Sequence, residues 1–348
     1  MYDVVVIGAG QAGLAMGFYL KKTNQSFLLL DKAKEIGEVW RNRYDSLTLF
    51  TPRTYSELPY FQMQGPRHGY PTKDEVADYL TQYASHHSLP IQLDTTITKV
   101  TRADTGFVIE TTNSVIHTKN VVVATGPFQE PLLPSFAASI PDTVFQVHSS
   151  QYKNPYQLQN GPVLVVGGGN SGAQIAVELA KERDVYLSVS QKLTFIPQDL
   201  AGRSIFWWFD KFGILKANVT SKLGQIIKNR PDPIFGFELR KAIQSQKIIM
   251  KPRTTDVKED TFVFQDNSDL KVANVVWATG FSANYQWLQI PEALKQNGQP
   301  LHKRGITNIE GLYFLGLPWQ SRRGSALLQG VADDAEYIVQ HIRDAKHI

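Results

Sequence analysis

VVVIGAGQAG, residues 4–13, is a short apolar run ending in glycines spaced G-x-G-x-x-G, and VLVVGGGNSG, residues 163–172, matches it later in the chain. In such a run Gly8 turns the chain off a strand, Gly10 lets the backbone approach a pyrophosphate, and Gly13 lets the next helix pack close to the sheet. Gly167, Gly169 and Gly172 repeat the arrangement. Tyr2 to Ile7 reads as a buried parallel strand, and Gln11 to Lys22 carries Ala12, Ala15, Met16, Tyr19 and Leu20 at helical spacing. The start of that helix offers N–H groups to an anion. Two complete units predict two dinucleotides held face to face.

The strand that follows each fingerprint helix tells the two units apart. Phe27 to Leu30 runs into Asp31, a carboxylate placed to accept hydrogen bonds from ribose hydroxyls. In the second unit the strand read over Asp184 to Val189 runs into Ser190, Gln191 and Lys192, with no carboxylate to repel a 2′-phosphate. Ser190 and Lys192 can bind one, so the second site reads as an NADPH site. No arginine stands at this end, and a lysine is a point charge where an arginine is a bidentate fork. Selectivity is expected to be modest, with NADH accepted.

A chain of 348 residues has room for two domains, and its 42% apolar and 20% charged residues are ordinary for a soluble globular protein. A net charge of +4, without a Lys/Arg cluster interleaved with aromatics, argues against a nucleic-acid partner. There is no cysteine, so a redox-active cysteine pair is excluded. The first strand begins at Tyr2, which leaves no room for a leader ahead of it. Glycines interrupt the apolar stretch Val4 to Leu20 and argue against a membrane span. A cytoplasmic protein with no membrane partner is expected.

Between the fingerprints, Lys32 to Pro71 reads as a long irregular stretch of the kind that carries function. Lys73 to His87 reads as a helix capped by Thr72, and Ile91 to His117 as a small antiparallel meander. Asn120 to Ala124 returns as a strand into Ala124, Thr125 and Gly126. The second unit, from Gly161 to Val272, closes on Asn274 to Trp277 and runs into Ala278, Thr279 and Gly280. Leu312 to Leu315 reads as a final strand and Ser325 to Ile342 as a final helix. The fold class is α/β: two Rossmann-like dinucleotide-binding domains, the second (156–274) inserted into the first (1–155 and 275–348), with a small antiparallel β meander. The aromatic run Ile205, Phe206, Trp207, Trp208, Phe209 with Phe212 reads as packing at a domain or subunit interface, which leaves a homodimer open. No Ser/His/acid constellation or metal-ligand spacing emerges.

With these residues in view, the chain resembles the flavin-containing monooxygenases, most closely a short bacterial group, the CzcO-like proteins. The segments that carry the likeness include GAGQAG, EVWRNRYDSLTLFTP, VVVATGP, VLVVGGGNSGAQIAVELA, VVWATGF and GLYFLGLPWQSRRGSALLQG, in order along nearly the whole chain. The resemblance implies FAD on the first fingerprint and NADPH on the second. It also implies a flavin C4a-hydroperoxide that passes one oxygen of O₂ to a small sulfide, amine or ketone. Gly8, Gly10, Ala12, Gly13, Asp31, Lys32, Trp40, Arg41, Val100, Ala124 and Thr125 would hold FAD, Val100 through its backbone. Gly167, Gly169, Asn170, Ser171, Gly172, Ser190, Gln191, Lys192, Ala278 and Thr279 would hold NAD(P)H. Phe50 and Trp319 would face the substrate, and no metal is implied.

Two departures from the family pattern stand out. Around His148, Tyr152 matches the linker signature, but Asp142 and Val144 occupy its Phe and Gly positions, so His148 reads as a structural linker residue. Where larger members place an asparagine beside the flavin, this chain has Leu49, Phe50 and Thr51. Losing that donor implies a shorter-lived oxidant or more peroxide release. A flavin reductase or diaphorase, and a flavin-bearing accessory protein of cation transport, are the other functions that the sequence allows.

Overall fold

The computed structural model describes residues 1–345. Tyr2–Ile7, the strand of the first fingerprint, lies between Phe27–Leu30 and Val115–Val123, all parallel, with Ile91–Gln92 at the outer edge beyond Phe27–Leu30. Leu312–Phe314 adds a further parallel strand against Val121 to Val123. Alternate side chains point to opposite faces of a strand, and both faces here are covered. Val4, Val6, Leu29 and Val122 share a core with the helices Gln11–Lys21, Lys73–His86 and Val331–Asp344. Val5, Ile7, Leu30 and Val121 lie instead under Val100, Phe107 and Ile109 of the meander.

The segments expected as the end of the meander and as a separate strand at Asn120 form one nine-residue strand, Val115–Val123. Thr118 is the junction, pairing with Phe107 of the meander and with Tyr2 of the parallel sheet. Lys73–His86 begins on a reciprocal capping box between Thr72 and Glu75. The final helix starts at Val331, six residues later than its periodicity suggests. Ser325 Oγ accepts the N–H groups of Ser321 and Arg322 and so ties that segment into a 3₁₀ turn, Arg323–Ala326.

The second sheet repeats the plan with five parallel strands, in the order Ile248–Lys251, Val185–Ser188, Val163–Val166, Asn274–Trp277, Phe145–His148. Val163 and Val165 pack against Ile175, Ala176 and Leu179 of the helix Asn170–Leu179, while Leu164 and Val275 lie under Phe262 and Phe264 of a second meander. The division expected at residues 155 and 274 falls among this sheet's own strands. Phe145–His148 is one of its edge strands and Asn274–Trp277 lies between that strand and Val163–Val166. Each sheet thus takes one of its outer parallel strands from beyond its own fingerprint unit: Leu312–Phe314 from after the insertion, Phe145–His148 from before the second fingerprint. Between the sheets, Glu130–Pro131 pairs antiparallel with Phe281–Ser282, which zips the two crossing segments together.

Candidate active site

The two fingerprints have the same geometry. Gly8 and Gly167 adopt φ +105° and +116°, a region open to glycine, and a Cβ there would lie 2.6 Å from the Ala124 carbonyl oxygen and 2.2 Å from that of Ala278. This close passage is the reason for small residues where each chain crosses between sheets. A Cβ on Gly13 would lie 1.8 Å from the Gly8 carbonyl oxygen, and one on Gly172 would lie 2.0 Å from that of Gly167. Gly13 and Gly172 are therefore packing glycines. Gly10 and Gly169 differ: a Cβ on either would meet nothing within 4 Å. Each is the N-cap of its helix, with no side chain capping it. Open space before uncapped helix N–H groups suits an anion.

Around the first fingerprint lies a cleft of about 500 Å³. Gly8, Gly10 and Ala12 of the fingerprint line it together with Asp31, Lys32, Ala124 and Thr125. Asp31 is fixed by two backbone donors, Ala9 N–H to Oδ2 at 2.5 Å and Ala33 N–H to Oδ1 at 2.8 Å. Each oxygen keeps a lone pair for a further donor. Trp40 faces the cleft, but Arg41 does not: its guanidinium is held by Asp78 at 2.6 Å and Glu35 at 3.1 Å. Arg43 occupies the cleft instead, 5.0 Å from the Phe281 ring and 5.6 Å from that of Phe128. Burial pushes its guanidinium below the ordinary arginine pKa, and among the described residues no carboxylate pairs with it. Val100 is also displaced from its expected role. Its N–H donates to the Trp287 carbonyl at 2.7 Å and its carbonyl accepts Gln289 N–H at 2.9 Å, and Thr95, Thr96 and Ile97 line the cleft instead.

At the second fingerprint, the Asn170 side chain is spent on the protein, donating to the Pro233 carbonyl and accepting Phe235 N–H. Ser171 is exposed, and the Tyr44 hydroxyl donates to Gln174 of the same helix at 2.9 Å. Gln174 in turn donates to the Thr48 carbonyl at 3.0 Å. These bonds join the second fingerprint helix to the loop that carries Phe50. The Phe50 ring stacks on Phe235 at 4.6 Å and on Phe206 at 6.1 Å. Ser190, Gln191 and Lys192 are exposed beyond the strand end, Ala278 backs Gly167, and the Thr279 hydroxyl donates to the Leu132 carbonyl.

Trp319 is half-buried at φ +57° in the loop after Leu312–Phe314, where the Gln320 side chain ties Leu317 to Phe314. Of the aromatic run, Ile205 and Phe206 are buried with Phe235 and packed by the half-buried Phe50, whereas Phe212 is 65% exposed. Arg43 and Gln174 were missed because nothing in their local sequence sets them apart. Among the described residues no group of three His, Asp or Glu is placed to hold a metal, and no helix is long and apolar enough to cross a membrane.

His148 staples the crossing between sheets, with Nε2 3.0 Å from the Gly280 carbonyl and Nδ1 2.8 Å from Ser150 Oγ. Nδ1 also accepts Ser150 N–H at 3.2 Å, which fits a neutral ring donating from Nε2. Burial lowers the pKa of His148, as it does for His87 and His302. The folded chain then binds fewer protons than the unfolded one below about pH 6.5, so stability is present above that value and falls with pH. The urea midpoint is expected to be lower at about pH 5.5 than at about pH 7.5, and a smaller drop in His148→Gln is expected. A midpoint that rises on acidification contradicts this.

The family described as pyridine nucleotide-disulphide oxidoreductase matches residues 5–201. A protein of Geobacillus kaustophilus described as "uncharacterized oxidoreductase CzcO-like" is 56% identical over 340 residues, 98% of each chain. A probable indole-3-pyruvate monooxygenase, YUCCA4 of Arabidopsis thaliana, is 28% identical over 373 residues, 98% of this chain and 89% of that one. Among solved structures, a flavin-containing monooxygenase from Stenotrophomonas maltophilia superposes with a TM-score of 0.84 at 24% identity, covering 99% of this chain and 98% of that one.

Proposed function

This chain belongs to the pyridine nucleotide-disulphide oxidoreductase family, among its CzcO-like members, and from that premise we propose that it is an FAD- and NAD(P)H-dependent monooxygenase. The observation that carries the reading is the paired cradle: two glycine positions with open space before uncapped helix starts, one on each sheet. The residues of the first cleft fit FAD. Asp31 is held by two N–H groups that leave a lone pair on each oxygen for a ribose hydroxyl, and Arg43 is a half-buried cation with no carboxylate partner among the described residues, suited to a pyrophosphate or a polarised ring. A thiol–disulfide relay through the chain's own residues has no cysteine to run on.

Bound in the first cleft beside Asp31 and Arg43, FAD would supply hydride acceptance from the nicotinamide and activation of O₂ toward a small sulfide, amine or ketone. The protein's part is placement and exclusion. Tyr44, Gln174 and Thr48 tie the second fingerprint helix to the first domain, which holds the two nucleotides in a fixed relation. Phe50, Phe206 and Phe235 close the side next to the second fingerprint with apolar surface and keep water out. That wall offers no hydrogen-bond donor to a polar oxidant, which favours a second reading: an NAD(P)H-dependent flavin reductase that releases peroxide.

The two readings separate in one experiment. Under ¹⁸O₂, with a panel of sulfides, amines and ketones, a monooxygenase yields ¹⁸O-labelled product in proportion to NADPH consumed. Peroxide alone across the panel sinks the first reading in favour of the second.

A further inference from the structure

We propose that the second nucleotide site contains a 2′-phosphate subsite built from two neighbouring strands, in which Arg253 supplies the arginine fork missing from the end of Val185–Ser188. The proposal rests on the reading of the second fingerprint as a dinucleotide site. It makes that site selective for NADPH, where the local sequence around Ser190 and Lys192 suggests a tolerant one.

Strand register brings Arg253 to this place. Val185–Ser188 and Ile248–Lys251 run parallel with Ser188 opposite Lys251, and neighbouring strands lie about 4.8 Å apart. Beyond Lys251 the chain curls over the end of its neighbour. The buried Ser188 hydroxyl lies 2.8 Å from the Pro252 carbonyl and 2.8 Å from Thr254 Oγ1, and it accepts Thr254 N–H at 3.0 Å. Residues 252–254 are thereby held across the end of the strand that leads into Ser190 and Lys192, with Arg253 at the bend.

The first unit provides an internal comparison. There Leu30 stands opposite Gln92, as Ser188 stands opposite Lys251. Asp31 N–H donates to the Gln92 carbonyl at 3.0 Å, and Val189 N–H donates to that of Lys251 at 3.1 Å. In this register Val189 takes the place of Asp31, and Arg253 takes the place of Asp94. Two acids of the first unit are thus replaced in the second by an apolar residue and a cation. Thr95, next to Asp94, lines the first cleft, and Thr254 is its counterpart.

The charges around Arg253 leave it available. Arg253 and Lys192 are exposed, and neither forms an ion pair among the described residues. Lys251 points elsewhere, its ammonium 5.0 Å from the Phe264 ring. Of the nearby acids, Asp266 accepts from Ser268 and Asp256 from the Val257 N–H. Ser190, Lys192 and Arg253 then combine a hydroxyl, a point charge and a fork, the donor set that a phosphate monoester takes.

The test uses flavin-loaded, oxidised protein and two dead-end fragments, 2′,5′-ADP and 5′-ADP, titrated by calorimetry without turnover. The wild type is expected to bind 2′,5′-ADP at least about tenfold more tightly, and Arg253→Ala to remove about tenfold or more of that preference while changing 5′-ADP affinity less than about twofold. Arg253→Lys should retain part of it. Arg253 is exposed, so an unchanged thermal melt is expected for both variants. An unchanged preference in Arg253→Ala, or no preference in the wild type, overturns the subsite. A wild type that binds neither fragment overturns the dinucleotide reading beneath it as well.

Discussion

Gly10→Val is expected to fold and to hold no flavin. The chain at Gly10 is extended, with negative φ, and a Cβ there meets no protein atom within 4 Å, so a side chain branches into open space and the fold is expected to survive. It would project into the space before the uncapped N–H groups of Gln11–Lys21, where a pyrophosphate must come within hydrogen-bond distance. The expected loss of flavin affinity is at least about a hundredfold, or roughly 3 kcal/mol. Gly13→Val is the contrasting case. Its Cβ would lie 1.8 Å from the Gly8 carbonyl oxygen, so helix and strand must separate and soluble protein is not expected. A yellow, flavin-replete Gly10→Val contradicts the placement of the cofactor. Circular dichroism and the visible absorbance of purified protein decide between the outcomes.

Gly169→Val should produce the complementary defect. The same open space lies before the helix Asn170–Leu179, so the fold and the first cleft are left intact. The variant is expected to purify with flavin and to be reduced normally by dithionite. Its reduction by NADPH is expected to slow by about a hundredfold or more at subsaturating nucleotide, because only the second cradle is blocked. Loss of flavin from this variant, or reduction by NADPH at the wild-type rate, contradicts the assignment of one nucleotide to each sheet.

The features legible in the sequence were those fixed by local sterics. Three glycines at G-x-G-x-x-G spacing specify a strand, a tight turn and a close helix wherever they occur, and both fingerprints have the expected geometry. The Thr72 cap is local in the same way. What the sequence did not reveal was which distant segments meet. Phe145–His148 has an ordinary strand composition, and only tertiary packing makes it an edge of the second sheet. Arg41 and Arg43 lie two residues apart, but one meets Asp78 and Glu35 while the other turns into the cleft. The Val100 backbone was already taken by the segment around Trp287 and Gln289, which lies nearly two hundred positions away. Arg253 escaped notice for the same reason. Strand register places it at the end of Val185–Ser188, more than sixty residues back along the chain.

The proposed function requires electrons to pass from a nucleotide on one sheet to a flavin on the other. The most direct test is anaerobic titration of the purified protein with NADPH, followed by identification of the chromophore released on denaturation. The expected result is one FAD per chain, its visible absorbance bleached by one equivalent of NADPH. A colourless protein, a released flavin without the adenosine half, or an FAD that NADPH fails to bleach would contradict it.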